Sequence, residues 1–280
     1  MNAPLHFSIV TPSYDQLDYL RCCAQSVADQ TGDLRFEHLI QEGLGGGSFL
    51  EWASSQNRAC VCVEGDSGMY DAINRGFAKS KGAVLAWLNC DEQYLPGTLS
   101  KVWQWFEKHP DCDILFGDTV LISKDGCPLA YRKAIVPTQL EIKHVFLSTY
   151  SASTFVRRRV FDDGFALDHR LKAVADADWI LRLLEAGFRA GVLNEPLATF
   201  LQDGENMGQS EQGRAEAIRW RRHDTLRGKF YKWGVGLLFR YRRLWNGCYR
   251  SRKVEVEVYR GGGGIRSKIC AKVGGRWKAG

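Results

Sequence analysis

Several familiar features are absent from this chain of 280 residues, and each absence narrows the choice of function. No apolar run reaches the length of a membrane-spanning helix. The 9 cysteines form no C-x-x-C pair, which argues against a zinc site or a disulfide framework and favours free thiols. The glycines of residues 43–48 lack the spacing of dinucleotide-binding and P-loop motifs. The start, MNAPLHFSIV, lacks the features of a secretion signal, so we expect a cytoplasmic protein.

Charge is unevenly distributed along the chain. The net charge is +6, yet only four acidic residues follow Arg214. Such a basic segment indicates an anionic partner, either a membrane surface or nucleic acid. We therefore divide the chain into a first domain of residues 1–205 and a basic amphipathic segment of residues 206–280, whose tail we expect to be flexible.

The first 120 residues alternate between short apolar runs and helical spacing. This alternation predicts an α/β fold, with a mostly parallel central sheet and helices on both faces. The first strand, from Phe7, should end at Pro12 because proline cannot donate to a strand ladder.

The most informative stretch runs from Glu64 to Glu92. It contains a turn at Asp66, a predicted helix, and an apolar run from Ala83 to Leu88 that reads as a buried strand. The residues after that strand, Asn-Cys-Asp-Glu, would lie at the strand's C-terminal end, where open α/β sheets bind ligands. Carboxylates there suit Mg²⁺ or Mn²⁺ holding a diphosphate, although a capped helix followed by an acidic turn is the simpler alternative.

Two later stretches also carry candidate functional residues. Asp176 and Asp178 begin a predicted helix, and capping of that helix would explain one of them. Lys229–Arg250 has aromatic and apolar residues at helical spacing, with basic residues on or beside the opposite face. This pattern is typical of an interfacial membrane helix, but a helix docked on the first domain with a solvated basic back fits it equally well.

Four motifs in order give the sequence a family resemblance. They are Ser8–Tyr14, Glu64–Gly76 (EGDSGMYDAINRG), Leu88–Glu92 (LNCDE) and Asp176–Arg182 (DADWILR). Together they resemble the family 2 glycosyltransferases, which have the GT-A fold, and are most similar to bacterial enzymes that build exopolysaccharide, colanic-acid or O-antigen repeat units. The resemblance covers roughly residues 5 to 205.

The resemblance implies a role for each motif. Asp176 matches the catalytic base, and Asp91 matches the ligand of an Mg²⁺ or Mn²⁺ ion on the donor diphosphate. Tyr14 would lie against the nucleotide base. Together with Tyr14, the following residues would bind or support the donor nucleotide: Thr11, Pro12, Glu42, Asp66, Asp71, Asn74 and Asn89.

The chain departs from the family pattern at three places. Glu42 replaces the usual Asp, and Glu92 stands where a second Asp is common. The stretch Tyr150–Phe155 lacks the His that relatives often carry there. These departures bear on the metal geometry and on the placement of the acceptor.

The resemblance implies an inverting glycosyltransferase that moves a sugar from a nucleotide-sugar, most readily a UDP-sugar, to a hydroxyl of a lipid-linked or polysaccharide acceptor. The basic helix would hold the enzyme peripherally at the inner membrane face, and we expect no nucleic-acid partner. The alternative is a degenerate, non-catalytic protein that binds nucleotide-sugar, or nucleic acid through the basic segment. A sugar-1-phosphate nucleotidylyltransferase is disfavoured, because Thr11–Tyr14 stands where that enzyme needs a glycine-rich phosphate loop.

Overall fold

The computed structural model describes residues 4–204, 206–221 and 226–275. Within these ranges, strands and helices alternate through the first half of the chain, and a long helix and a hairpin come last. The elements in chain order are β1 (Phe7–Ser13), α1 (Leu17–Ala28), β2 (Phe36–Glu42), α2 (Gly47–Ser54), β3 (Cys60–Val63), α3 (Met69–Lys79), β4 (Val84–Trp87), β5 (Gln93–Tyr94), α4 (Thr98–Lys108), β6 (Ile114–Ile122), β7 (Pro128–Arg132), α5 (Gln139–His144), β8 (Thr154–Arg157), α6 (Arg159–Asp162), α7 (Ala175–Glu185), β9 (Ala190–Leu201), α8 (Glu211–Arg221), α9 (Leu226–Trp245), β10 (Arg252–Val258) and β11 (Ser267–Val273).

The central sheet has the strand order β3-β2-β1-β4-β8-β6-β9-β5, and β7 pairs with β6. Strands β1 to β4 are mutually parallel, as the alternation of strands and helices predicted. The second half of the sheet is mixed, because β8 runs antiparallel to both β4 and β6, while β9 is parallel to β6. The predicted α/β class is confirmed, and its parallel part is the β1–β4 half.

Helices cover both faces of the sheet. Side chains that alternate along each strand therefore pack into two hydrophobic cores, one on each face. On β4, Leu85 and Trp87 pack with α3 and α7, whereas Val84 and Ala86 pack with α1 and α4. Helix α3 approaches β1 closely, because a Cβ on Gly76 would lie 2.4 Å from a methyl carbon of Val10. The motif glycine therefore sets the distance between α3 and the sheet.

The prediction that Pro12 ends the first strand is wrong, since β1 continues to Ser13 and Pro12 pairs with Gln41 of β2. The backbone of Val10 faces β4, where its carbonyl accepts a hydrogen bond from the Leu88 amide (2.9 Å). Pro12 lies two residues further on and faces the same way, but the β1–β4 ladder has ended at Val10. Its missing N–H therefore leaves no ladder acceptor unsatisfied.

The basic segment packs against the rest of the chain. Strands β10 and β11 form an antiparallel hairpin whose valines contact β6 and β7, so the expectation of a flexible tail is wrong for Ser267–Val273. Residues 276–280 lie outside the described ranges. Helix α9 contacts α5, and Arg242 forms an ion pair with Glu141 there. The division at residue 205 stays a prediction.

Among the described residues, no helix combines the length and apolar character needed to cross a bilayer.

Candidate active site

A cavity of about 1900 Å³ opens beside the C-terminal ends of β1 and β4. Its walls include residues of α3, α7 and α9 as well as the strand ends. Small-molecule sites usually occupy about 300–1000 Å³, so this cavity is large enough for two substrates. Six of the predicted site residues line it: Pro12, Tyr14, Asp66, Asn89, Asp91 and Asp176.

The turn after β4 is held in shape by Glu92. Its carboxylate accepts a hydrogen bond from the Asn89 amide (2.8 Å), and its own amide donates to the Asn89 carbonyl (3.0 Å). Glu92 is buried, and burial, followed by the charge of Asp91, raises its pKa well above the ordinary value. Glu92 thus lies beneath the turn, while Asn89 and Asp91 face the cavity.

Asp91 lies in an environment that favours a cation. Burial, and then the nearby charge of Asp203, raises its pKa from 3.8 to about 6. The buried Oδ1 of Asn89 accepts no hydrogen bond from the described residues. The donor atoms here are hard oxygens, which suit Mg²⁺ or Mn²⁺. Within the described ranges, no three His, Cys, Asp or Glu side chains cluster closely enough to hold a metal unaided. An ion at Asp91 would therefore need further oxygens from a bound diphosphate and water, as is usual for Mg²⁺.

The two aspartates of α7 differ in their partners. Asp178 is committed to structure, since its carboxylate accepts hydrogen bonds from Arg182 Nε (2.7 Å) and Trp220 Nε1 (3.1 Å). Asp176 accepts only the Ala177 amide (2.8 Å) among the hydrogen bonds of the described residues, and it lines the cavity. Burial raises the pKa of Asp176 from 3.8 to about 6. Asp176 is therefore the one of the two that faces the cavity with a carboxylate not engaged by other side chains.

The predicted nucleoside residues meet at one corner of the cavity. Tyr14 is exposed and lies next to Gly43, as does Asp66. A Cβ on Gly43 would come within 3.0 Å of both the Tyr14 ring and the Asp66 carboxylate. This close approach explains why a glycine begins the loop of residues 43–48.

Four predicted residues do not line the cavity, and two of them belong to the α3 motif. The side-chain amide of Asn74 donates to the Leu167 carbonyl (2.8 Å) and accepts from the Leu167 amide (3.0 Å). Asp71 accepts from the Ser67 amide (2.9 Å) and pairs with Arg75 (3.1 Å). Both side chains therefore tie α3 to neighbouring loops, and their supporting role on the donor side stays a prediction.

The other two are buried beneath the nucleoside corner. Glu42 Oε1 accepts hydrogen bonds from the amides of Asp15 (3.2 Å) and Leu44 (3.0 Å), which shapes the loops after β1 and β2. Its Oε2 is buried without a partner among the described residues. The hydroxyl of Thr11 lies 2.8 Å from Nε2 of His38. A direct nucleotide contact by Thr11 or Glu42 stays a prediction.

Sequence reasoning missed the support of the loop that precedes Asp176. Glu216 of α8 accepts hydrogen bonds from the amides of Lys172 (2.9 Å) and Ala173 (2.6 Å). The ammonium of Lys172 donates to the carbonyls of Ser67 and His169 and also lines the cavity. Glu216 is one of the few acids of the basic segment, and that isolation was the only signal available in the sequence.

Comparison with known proteins agrees with this geometry. The profile of the family described as "Glycosyl transferase family 2" matches residues 8–165, which is more than half of the chain. The chain belongs to glycosyl transferase family 2. It is therefore a glycosyltransferase, and the non-enzymatic alternative is not supported.

Two relatives illustrate the range of this family. The chain is 29% identical over 189 residues to a PGL/p-HBAD biosynthesis glycosyltransferase of Mycobacterium tuberculosis, with 65% of this chain and 70% of the relative covered. It is 25% identical over 204 residues to glycosyltransferase AglE of Haloferax volcanii, with 67% of this chain and 64% of the relative covered.

A solved structure gives the fold. The crystal structure of residues 1–349 of S. aureus TarS in complex with UDP-GlcNAc aligns with a TM-score of 0.58 at 17% identity. The alignment covers 78% of this chain and 65% of that chain. The predicted GT-A fold of this family 2 glycosyltransferase is confirmed.

Proposed function

We propose that this glycosyltransferase is an inverting enzyme that transfers a sugar from a UDP-sugar to a hydroxyl of a lipid-linked or polysaccharide acceptor. One observation carries the proposal: a single cavity brings Asp176 together with Asn89, Asp91 and the Tyr14–Asp66 corner. The UDP donor is supported by the TarS complex, which contains UDP-GlcNAc.

The two carboxylates would serve opposite ends of one substitution. Asp91, with the Asn89 oxygen, would hold an Mg²⁺ or Mn²⁺ ion, which when bound neutralises charge on the leaving nucleoside diphosphate. Asp176 would accept the proton of the acceptor hydroxyl as it attacks the anomeric carbon. A base on the face opposite the leaving group directs attack from that face, so the anomeric configuration would invert.

A donor-binding experiment tests the proposal. Binding of UDP-, GDP- and dTDP-sugars would be measured by calorimetry with Mn²⁺, with Mg²⁺ and with chelator, for the wild type, Asp91→Ala and the control Asp111→Asn. Asp111 forms an exposed ion pair with Arg189 and does not line the cavity. We expect metal-dependent binding of one donor class that Asp91→Ala alone abolishes. Tight donor binding that is unchanged by chelator and by Asp91→Ala would contradict the proposed role of Asp91 as a metal ligand.

The stereochemistry needs a separate measurement. The anomeric configuration of the product, determined by proton NMR, should be opposite to that of the donor. Retention at this carbon would contradict the roles given to Asp176 and to direct attack by the acceptor.

We also propose that the outer face of α9 rests on an anionic membrane surface. Trp245 is 78% exposed, Tyr241 is exposed one helical turn before it, and neither ring lines the cavity. Trp233 and Arg240 are also exposed on this helix, at the rim of the cavity. Interfacial helices combine these two features, in which aromatic rings enter the headgroup region and cations contact anionic lipid. The side chain of Phe230, which belongs to the predicted aromatic side, lies outside the described residues.

A further inference from the structure

A second wall of the active-site cavity carries basic residues that the donor site does not use. It is formed by the end of β7, the turn before β8, and α9 with the turn that follows it. Lys133 Nζ donates to the Asn246 carbonyl (3.0 Å), and Arg132 Nη1 donates to the Gly275 carbonyl (2.9 Å). The first bond holds the end of β7 against the turn that follows α9, and the second holds it against the residues that follow β11. We call Arg132, Ser148, Thr149 and Arg243 the arginine wall.

Arg243 is the central member of the arginine wall. It is only 5% exposed, and its guanidinium lies 5.5 Å from the ring centroids of both Phe239 and Tyr249. None of the described carboxylates lies within ion-pair distance of it. The adjacent Arg242, by contrast, pairs with Glu141 and donates to the Val136 carbonyl (3.0 Å). Aromatic rings offset only part of the cost of burying a guanidinium, so Arg243 lacks the anion that its position calls for.

The other members of the wall have unused polar atoms. The Nε of Arg132 and the hydroxyl oxygens of Ser148 and Thr149 are buried and make no hydrogen bond to the described residues. All three side chains line the same cavity as Arg243. Buried polar groups in native proteins are nearly always paired. Three unsatisfied groups from two separate segments, beside the unpaired guanidinium of Arg243 on a third, therefore indicate a site for a polar ligand.

The chemistry of the wall indicates a phosphate joined to an apolar group. Guanidinium groups bind phosphate oxygens through paired N–H donors, and serine and threonine hydroxyls add neutral donors. Apolar surface lies beside them, because Phe146 and Leu237 line the cavity and the Phe146 ring packs against Phe239 (5.2 Å between centroids). A purely polar glycan would leave this surface without a partner.

The arginine wall is also built from different elements than the donor site. The predicted donor residues lie in α3 and in or just after β1 to β4, whereas the wall belongs to β7, α9 and the segment before β8. The cavity is large enough for a second ligand beside a nucleotide-sugar. The wall is therefore available when a donor is bound.

We propose that the arginine wall binds the phosphate of a phosphate-linked lipid that carries the acceptor sugar. This inference rests on the proposed function and specifies its acceptor, since a polysaccharide without phosphate or lipid would not use the wall. It also gives α9 two roles, because the inner face would bind the lipid's phosphate while the outer face rests on the membrane that supplies the lipid.

The test uses farnesyl phosphate as the probe, with farnesol and inorganic phosphate as comparisons. Binding to the full chain would be measured by calorimetry below the micelle concentration, with and without saturating UDP and Mn²⁺. We expect farnesyl phosphate to bind equally well in both conditions. Farnesol should bind at least about tenfold more weakly because it lacks the hydrogen bonds to a charged group, and inorganic phosphate at least about tenfold more weakly because it lacks the buried apolar chain.

Variants assign the binding to the wall. Arg243→Gln and Arg132→Gln should each weaken farnesyl phosphate binding by roughly 10- to 100-fold, and Arg243→Lys by less, because it keeps the charge. The matched control is Arg250→Gln, which removes an exposed cation that does not line the cavity. It should bind like the wild type. UDP binding should be unchanged in all four variants, which also shows that each is folded.

Three results would overturn the proposal. Displacement of farnesyl phosphate by UDP would assign the arginines to the donor diphosphate. Equal binding of farnesyl phosphate and inorganic phosphate would show that the wall does not recognise the lipid. Wild-type affinity in Arg132→Gln would show that the arginine wall is not the binding site, even if Arg243→Gln failed to fold. Donor binding in the panel above is measured independently, so failure here is distinguishable from failure of the proposed function.

Discussion

The two walls of the cavity differ in charge and in how their polar groups are satisfied. The wall formed by the strand ends and α7 carries Asp66, Asp91 and Asp176, which we call the acidic wall, and Glu92 holds its main turn in a fixed shape. The arginine wall carries two guanidinium groups and two hydroxyls that the described residues leave partly unpaired. The first wall is suited to a cation and a proton, and the second to an anion.

This difference teaches how one fold can accommodate two substrates. Parallel strands β1–β4 deliver carboxylates to one edge of the sheet, where a nucleotide diphosphate needs a counter-ion. The mixed half of the sheet and α9 deliver cations to the same cavity from another direction. Without a metal ion the acidic wall repels a phosphate and the arginine wall attracts it, so the charges would direct the acceptor phosphate to the arginine wall, while a metal ion at Asp91 would hold the donor diphosphate.

The largest effect should come from removing the base on the acidic wall. Asp176→Asn should lower the transfer rate by about 100- to 10,000-fold, because general-base assistance is lost, while donor binding stays unchanged. The matched control is Asp178→Asn, which lies on the same helix but pairs with Arg182 and Trp220. It should reduce stability, with activity per folded molecule within a few-fold of the wild type. Equal inactivation of both variants in a radiolabelled-sugar transfer assay would mean that Asp176 has no special chemical role.

The pH dependence of the wild-type transfer rate should report the ionisation of Asp176 without any mutation. Burial raises the pKa of Asp176 to about 6, and the base works only when ionised. The rate at saturating donor and metal should therefore fall about tenfold per pH unit below about pH 6 and level off above it. Saturating metal keeps Asp91 ionised, which removes its titration from the profile. A rate that stays constant down to pH 5 would contradict the assignment.

A smaller effect is expected on the side of α9 that faces away from the cavity, where Tyr241 and Trp245 are exposed. The double variant Tyr241→Ser and Trp245→Ser should weaken binding to vesicles of anionic phospholipid by roughly tenfold or more, since the apolar burial of both rings would be lost. Co-sedimentation with vesicles measures this directly, and 1 M NaCl should weaken the wild type as well. The control is Tyr231→Ser, which removes another exposed aromatic ring of the same helix, one that packs beside His144 (5.4 Å between ring centroids). If vesicles of neutral lipid bind equally well at all salt concentrations, the cationic part of the proposal is wrong.

The sequence was sufficient to predict the fold class and the acidic wall, because these depend on local pattern. The apolar run before Asn89-Cys90-Asp91 marks a buried strand, and a residue that follows such a strand must lie at the sheet edge. The helix start at Asp176 is likewise a local signal. In each case one stretch of chain carries both the structural cue and the functional residue.

The arginine wall could not be predicted, because its members meet only through tertiary contacts. Arg132 and Arg243 are 111 positions apart in sequence, and each is one basic residue among many. Nothing local distinguishes Arg243 from Arg242, yet one faces the cavity and the other pairs with Glu141. Of the two interpretations of the basic helix, the docked one is confirmed for the face that packs on α5, and contact of the exposed face with a membrane stays a prediction.

The smallest expected effect is the change in folding stability caused by Asp176→Asn. Whether this variant is more or less stable than the wild type distinguishes a catalytic carboxylate from a structural one. Asp176 has a pKa raised from 3.8 to about 6, so its ionised form is less stable in the folded chain than in the unfolded chain. The protonated group contributes its full stability below about pH 4, and this contribution is lost as the pH rises through about 6. Asp176→Asn should therefore raise the free energy of unfolding at pH 7.5 by about 1 to 2 kcal/mol, which is less than the 3 kcal/mol of the full shift because the residue borders a solvent-filled cavity. Urea unfolding at pH 7.5 and at pH 4 measures this gain, which should disappear at the lower pH. Asp178→Asn should be less stable than the wild type at pH 7.5, because it loses an ion pair. A loss of stability in Asp176→Asn at pH 7.5 would instead show that this carboxylate, like Asp178, serves the fold.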